Sequence, residues 1–233
     1  MLPQIAKLKR IALDLFFPRC CVGCGREGDF ICGSCRQSLS RIEPPLCPRC
    51  GRPQSDGILC PSCTGWQAKI DGIRSPYIFD GVMRQAVYQL KYRNLRALVK
   101  PLAELLHDYL TANLIPIQVL VPVPLHEKRL RERGYNQSEL LARELGKLTG
   151  LPVVTDCLTR QRYALPQART VNVEERRDNV ASAFACGNDK LQNRQVLLID
   201  DVATSGSTLD SCATALKATD ASSVWGLSMA REI

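Results

Sequence analysis

Residues 196–208 read VLLIDDVATSGST, and the order of residue types in this stretch sets the expected fold. Four consecutive apolar residues, Val196 to Ile199, have the length and composition of a strand buried on both faces of a parallel sheet. Two adjacent carboxylates, Asp200 and Asp201, follow where that strand is expected to end. A run of small and hydroxylated residues comes next, Thr204-Ser205-Gly206-Ser207-Thr208, and then a helical stretch from Leu209 to Ala218. In open α/β sheets ligands bind beyond the carboxyl ends of the strands, so this turn is the first place to look for a site.

The chemistry of the turn is specific. Gly206 and its small neighbours let backbone N–H groups approach an anion closely, and the hydroxyls of Thr204, Ser205, Ser207 and Thr208 add donors. The positive end of the following helix points at the same spot, worth about 0.3–1 kcal/mol to a bound anion. Carboxylates beside it would repel a second phosphate, but they accept hydrogen bonds from a sugar diol or hold a divalent metal. A phosphate next to a diol describes a ribose 5-phosphate. The segment resembles the phosphoribosyl pyrophosphate (PRPP) motif of type I phosphoribosyltransferases. That resemblance implies that Asp200 and Asp201 contact the ribose 2- and 3-hydroxyls, and that Ala203, Thr204, Ser205, Gly206, Ser207 and Thr208 hold the 5-phosphate. Many members have a second glycine in this loop where Ser207 stands here.

Other nucleotide motifs are absent or accidental. There is no G-x-x-x-x-G-K-[ST], which argues against a P-loop ATPase. The G-x-G-x-x-G of residues 23–28 follows no strand and lies inside a cysteine cluster.

The 233 residues are enough for one α/β domain plus a small module. No run approaches 18 uninterrupted apolar residues, so no transmembrane helix is expected. The N-terminus lacks an apolar signal core with a small-residue cleavage site, and the expected location is the cytoplasm.

Of 12 cysteines, nine precede residue 64, and eight of those form C-x-x-C pairs at Cys21/Cys24, Cys32/Cys35, Cys47/Cys50 and Cys60/Cys63. In a reducing compartment such a cluster means metal rather than disulfides. Two knuckles complete a tetrahedral S₄ site suited to Zn²⁺, so four imply two structural zinc ions. An iron–sulfur cluster is the other reading of the same ligands. Sequential pairing of the knuckles is the preferred arrangement and an interleaved one is the alternative. Cys20 is surplus to the pattern, and Cys157, Cys186 and Cys212 read as small buried apolar residues. Residues 18–65 hold too few large apolar side chains for a core, so metal is expected to hold this module together.

The net charge is +8. Residues 1–70 carry 10 basic and 5 acidic groups, and residues 71–233 carry 21 and 18, so the excess lies at the front. A basic zinc ribbon is a candidate nucleic-acid surface, with Phe30 and Trp66 as its few aromatics; a solvated positive face is the plainer alternative.

Residues 4–17 carry Ile5, Leu8, Ile11, Ala12, Leu15 and Phe16 at helical spacing with Lys7, Lys9 and Arg10 among them. This reads as a helix docked on the main domain, or as a peripheral membrane anchor. The expected domains are therefore the 1–17 helix, a double zinc ribbon over 18–65 and the α/β domain over 66–233. Within the last, residues 66–70 read as a linker and Ile73–Phe79 as a strand. Residues 82–110 read as two helices broken near Lys91–Asn94, with Arg84, Lys91, Arg93, Arg96 and Lys100 and no acid between 81 and 103. Val119–Val123, Leu151–Thr155 and Ser223–Ala230 are further strands, and 137–148 is a helix.

The run VPVPLHEKRLRERGYNQ (121–137) follows the first core strand. In type I phosphoribosyltransferases that turn cradles pyrophosphate with its backbone, which implies the role for Pro122, Val123 and Pro124, up to His126. Lys128, Arg129, Arg131 and Arg133 bring cations that would stabilise charge on a departing pyrophosphate. Residues 158–184 are polar and match the loop that closes over PRPP in this fold, with Arg160, Gln167, Arg177 and Asn179 as candidates.

Four C-x-x-C knuckles, LKY at 90–92, VPVPLHEKRLRERGYNQ and VLLIDDVATSGST together resemble the ComF family of double-zinc-ribbon, phosphoribosyltransferase-like proteins. Pro166-Gln167 and Arg177-Asp178-Asn179 fit as well. The resemblance covers nearly the whole chain. It implies a type I phosphoribosyltransferase fold with a Rossmann-like, mostly parallel sheet, PRPP with Mg²⁺ as ligand, and a role in natural competence. It further implies partners in single-stranded DNA and the competence helicase machinery. Two functions follow: a phosphoribosyltransferase, or a non-catalytic module that senses PRPP or holds single-stranded nucleic acid on its ribbons.

Overall fold

The computed structural model describes residues 19–161 and 183–233. The expected 4–17 helix and the candidates Gln167, Arg177 and Asn179 lie outside the described residues.

Five strands form one parallel sheet: β1 (Gly72–Arg74), β2 (Tyr77–Ile78), β3 (Val119–Pro122), β6 (Gln195–Ala203) and β7 (Ser223–Arg231). The order is β1-β7-β6-β3, with β2 pairing the far end of β7. β6 is central, flanked by β7 from Gln195↔Ser223 to Ala203↔Arg231 and by β3 from Val119↔Val196 to Pro122↔Ile199. A separate antiparallel ribbon joins β4 (Leu158–Arg160) to β5 (Phe184–Cys186).

The apolar run of β6 explains why both faces of the sheet are covered. Side chains alternate along a strand, so Val196 and Leu198 enter one core cluster while Leu197 and Ile199 enter the other. The second cluster is filled by helices α3 (Gly81–Tyr92), α4 (Val99–Ala112) and α6 (Gln137–Thr149), which supply Leu90, Leu102, Leu106, Leu141 and Leu145. The first is closed by α7 (Ser207–Lys217) through Leu209, Cys212 and Leu216, and by Cys157 and Leu158.

Several expectations need correction. The strand expected over 73–79 is two pieces, because the chain bends at Pro76, which has no N–H for a ladder; beside it the Ser75 hydroxyl meets that of Ser228 at 2.7 Å. The segment 151–155 pairs with β3 through a single bridge, Leu120↔Val153, rather than as a full strand. β6 runs on to Ala203, so both acids belong to the strand rather than to the turn after it. The cations of 128–133 ride on a short helix, α5 (Glu127–Arg133), where the sequence reading assigned no element.

The ribbons, with their one-turn helices α1 (Gly33–Gln37) and α2 (Pro61–Thr64), are not a free-standing module. Cys21, Ile31, Cys35 and Leu39 join the core on one face of the sheet, and Cys47, Cys50, Cys60 and Cys63 join the other. Backbone bonds from Ile73 to Arg49 (2.7 Å), Ile42 to Pro76 (2.9 Å) and Ile78 to Ser40 (2.9 Å) tie them to the sheet edge. The module therefore borrows apolar partners that its own sequence lacks. Trp66, expected in a linker and as a surface aromatic, is 7 % exposed and part of that shared core. No described helix is long and apolar enough to cross a membrane.

Candidate functional site

The site is built at the carboxyl end of β6, where Asp200 and Asp201 emerge beside the end of β3 and the start of α7. Asp201 is buried, 4 % exposed, and its Oδ2 lies 2.6 Å from Lys91 Nζ at the end of α3. Its Oδ1 accepts the backbone N–H of Val202 at 2.9 Å. Asp200 Oδ1 accepts from the Ser138 hydroxyl at 3.1 Å and from the Asp201 N–H at 2.9 Å. Burial pushes the Asp200 carboxyl up to about 6, opposed by the Lys91 charge and the Ser138 hydroxyl. Burial also brings the Lys91 ammonium down to about 8, with the Asp200 charge pulling the other way and Arg133 and Arg129 adding to the fall. The acids thus face a cationic wall in a poorly hydrated setting, where a hydroxyl donor would be bound strongly.

The turn into α7 is shaped by a glycine whose backbone and surroundings both oppose a side chain. Gly206 sits at φ +84°, and a Cβ there would lie 2.6 Å from Ile73 Cδ1 and 3.2 Å from the Trp66 ring. Trp66, just beyond the second ribbon, is thus the floor of the turn. Ser205 and Ser207 share a hydroxyl contact of 2.7 Å. Asp210 in the first turn of α7 accepts the N–H groups of Lys69 (2.7 Å) and Ile70 (2.9 Å), which anchors the chain leaving the ribbon. Arg231 donates from Nη2 to the Thr204 carbonyl at 3.3 Å, and Glu232 donates to Ala203 at 3.0 Å.

On the opposite side, the turn after β3 is held by Asn136, whose amide donates to the Val123 carbonyl at 3.0 Å while its carbonyl oxygen caps α6 at Ser138. His126 caps α5 by accepting the Lys128 N–H at 3.2 Å, a structural use for a residue whose role the sequence left open. Arg133 reaches back to Gln137 and lies 5.5 Å from the Tyr92 ring.

A cavity of about 150 Å³ brings Val123, Pro124, Arg133, Asp200, Asp201 and Thr208 together with Lys91, Ser138 and Arg160. Pro122, Ala203, Gly206 and Ser207 are buried behind its walls, while Thr204 is exposed and Ser205 half-buried. Of the other candidate cations, Arg129 lines the cavity, and Arg131 is exposed and pairs with Glu127 at 3.9 Å. Sequence reasoning missed Ser138, which follows a helix-capping asparagine, and it placed Lys91 in a basic run and in the LKY motif without giving it a partner in the site. The capping sequence Asn136-Gln137-Ser138 was the available signal for the first.

The eight knuckle cysteines form two sets in sequential pairing, Cys21/Cys24/Cys32/Cys35 and Cys47/Cys50/Cys60/Cys63, each with sulfurs within 4.8 Å of one another. A tetrahedral zinc with Zn–S of about 2.3 Å needs sulfurs about 3.8 Å apart. Cys24 and Cys32 lie at 3.6 Å, and Cys50 and Cys60 at 3.7 Å. Backbone N–H groups of Cys32 (3.3 Å) and Cys60 (3.5 Å) point at the sulfurs of Cys21 and Cys47, as anionic ligands require. Both donor sets fit zinc. Cys157 and Cys212 are buried as expected, while Cys186 is half-buried.

Residues 12–64 match the double zinc ribbon domain family. The chain is 30 % identical over 189 residues to the competence protein ComFC of Bacillus subtilis, spanning 77 % of this chain and 74 % of that protein. It is 28 % identical over 210 residues to competence protein F of Haemophilus influenzae, spanning 86 % and 90 %. It is 28 % identical over 185 residues to the DNA utilization protein YhgH of Escherichia coli, spanning 77 % and 80 %. Among solved structures, the glutamine PRPP amidotransferase of B. subtilis aligns at a TM-score of 0.38 and 18 % identity, over 55 % of this chain and 26 % of that one. The purine phosphoribosyltransferase of Pyrococcus horikoshii aligns at 0.34 and 15 %, over 55 % and 70 %.

Proposed function

This chain belongs to the ComF family, and from that premise we propose that it is a phosphoribosyltransferase-like protein that binds PRPP with Mg²⁺ and serves the handling of DNA. One observation carries the reading: an adjacent pair of carboxylates and the Thr208 end of a small-residue turn line the same cavity as the turn after β3 and the α5 cations Arg129 and Arg133. A diol fits the first, a 5-phosphate the second and a pyrophosphate the third. Asp200 and Asp201 accept the ribose hydroxyls. Ala203 to Thr208 hold the 5-phosphate with backbone and hydroxyl donors. Pro122, Val123 and Pro124 shape the backbone beside the pyrophosphate, and Arg133 supplies charge to it.

In the catalytic form of this reading, the bond from ribose C1 to the pyrophosphate oxygen breaks, the electron pair leaves with pyrophosphate, and a nucleophile forms the new bond at C1. The protein's part is electrostatic: the carboxylates favour the cationic character developing on the ribose, and Arg133 with Arg129 favours the departing anion. Asp200 and Asp201 could help hold Mg²⁺ with PRPP, and the ion would supply positive charge against the diphosphate. A family whose members are named for competence and DNA utilization also suits a non-catalytic PRPP sensor acting on DNA. Metal held by thiolates suits a reducing compartment, so a cytoplasmic location is part of the proposal.

Calorimetric titration of the zinc-loaded protein with PRPP and Mg²⁺ tests this. Saturable binding that disappears in the Asp200→Ala/Asp201→Ala variant is expected. Equal binding by that variant, or none by the wild type, overturns the reading; turnover in an acceptor screen then separates enzyme from sensor.

A further inference from the structure

Among the described residues that line the acid-pair cavity, Lys91 is the only amine. The other cations there, Arg129, Arg133 and Arg160, are guanidiniums, which stay protonated in proteins. Lys91 stands in the last turn of α3, where its backbone is anchored: Leu90 is fully buried, and the Tyr135 hydroxyl donates to the Leu90 carbonyl. Its ammonium lies 2.6 Å from Asp201 Oδ2. It also lines a second cavity, of about 510 Å³, whose rim includes the exposed Tyr92, so the amine has a path to it from outside. Burial favours the neutral amine, the form that attacks a carbonyl. A lysine needed only as a counter-charge could as well be arginine, which the chain uses at every other cationic position lining this cavity.

The position of the amine matters as much as its chemistry. In the reading above, the acid pair takes the 2- and 3-hydroxyls of a pentose, and Thr208 marks the 5-phosphate end of the cavity. An amine against a diol carboxylate therefore stands beside C1, at the far end of the sugar from its phosphate. PRPP offers no carbonyl there, because its C1 carries the pyrophosphate. Ribose 5-phosphate and 2-deoxyribose 5-phosphate open to a C1 aldehyde, which is the partner a neutral amine needs.

We propose that Lys91 forms an imine with the C1 aldehyde of a pentose 5-phosphate, a second activity of the same cavity. This rests on the PRPP reading for the placement of the sugar and adds a substrate class to it. Asp201 first takes a proton from the Lys91 ammonium, over the 2.6 Å contact already present. The Nζ lone pair then bonds to C1, the carbonyl π pair moves onto oxygen, and a proton passes from nitrogen to that oxygen to give a carbinolamine. Asp201 returns its proton to the new hydroxyl, which leaves as water while the nitrogen lone pair closes the C=N bond. Ammonium and aldehyde thus become iminium and water, with no oxidant or reductant, and the iminium is left paired with the Asp201 carboxylate. Addition of water reverses the sequence.

The test is reductive trapping. The zinc-loaded full chain is held with ribose 5-phosphate and sodium cyanoborohydride, which delivers hydride to an iminium, and the resulting secondary amine is located by peptide mass mapping. Lys91 should be labelled about tenfold faster or more than the exposed Lys147 and Lys190, because the bound aldehyde is held beside it. Ribose without its phosphate should label Lys91 about tenfold more slowly, the worth of one charge-assisted contact. Lys91→Arg keeps a cation opposite Asp201 and should lose this label alone, with the melting temperature checking its fold. Labelling of Lys91 no faster than that of the exposed lysines overturns the proposal, and so does labelling that ignores the phosphate. Both results come from the wild type and need no variant to fold. PRPP with Mg²⁺ is then titrated by calorimetry and added to the trapping reaction. If it binds, it should suppress the labelling of Lys91, and binding without suppression overturns the proposal. If PRPP does not bind and phosphate-dependent labelling of Lys91 persists, the imine stands on the sugar phosphate alone and the PRPP reading falls.

Discussion

Arg231, 1 % exposed at the end of β7, holds the Thr204 carbonyl with one arm while its charge lies against the thiols of Cys50, Cys60 and Cys63. One buried cation therefore joins the turn into α7 to the second zinc ribbon. Four thiolates on one Zn²⁺ leave a net charge of about −2, which needs a counter-charge in a dry setting. Burial draws the Arg231 pKa down and the nearby thiols draw it up.

Arg231→Met should therefore damage both sites at once. Removing one partner of a buried charge pair costs about 3–5 kcal/mol. The expected result is a lower melting temperature, faster loss of the second zinc to a colorimetric chelator, and weaker PRPP binding. Loss of stability with zinc release unchanged would separate Arg231 from the ribbon.

The two zinc sites should not behave alike. All four cysteines of the second set are buried, whereas Cys24 is exposed and Cys32 half-buried in the first. A chelator should remove zinc in two phases, the first ribbon's metal leaving from the folded protein and the second's only as the core opens. Cys24→Ser should abolish the fast phase and leave the slow one; a single phase in the wild type contradicts this.

Gly206→Ala tests the shape of the turn. The left-handed backbone and the 2.6 Å approach to Ile73 both oppose a side chain. A destabilisation of about 1–3 kcal/mol is expected from strain at such a position, together with weaker PRPP binding. Denaturant unfolding and calorimetry measure the two.

The Asp200 carboxyl gives a pH signature. Its value of about 6 lies above the ordinary 3.8, so the folded state binds the proton more tightly than the unfolded state between those limits. That part of the stability is present at low pH and is lost as pH rises from about 4 to about 6. Asp200→Asn removes it, so the melting temperature of the variant minus that of the wild type should be greater at pH 7 than at pH 4.5. Comparing the two proteins cancels the loss of zinc to protons at low pH, which both share. A difference that stays flat across this range contradicts the raised value.

Much of the molecule was legible in local sequence. The doubly covered strand at 196–199 follows from four apolar residues in a row, because a strand with one wet face would alternate. The zinc sets follow from C-x-x-C spacing, because a knuckle is a local turn. The acid pair and the small-residue turn were named from adjacent residues. By contrast, no local signal marks Trp66 as the floor of that turn, because the contact joins residues 140 positions apart in the chain.

What the sequence alone determined is the set of parts whose ligands or hydrogen bonds lie within a few residues: the knuckles, the core strands and the loop chemistry. What only the tertiary structure decided is how the parts lean on each other. It pairs Lys91 with Asp201, sets Ser138 on Asp200, buries six of the eight knuckle cysteines in the sheet's two cores, and lines Tyr88 and Tyr92 on an open ridge. The physical reason is range. Propensity and spacing act over one turn or one knuckle, whereas desolvation and ion pairing depend on which distant surfaces are pressed together.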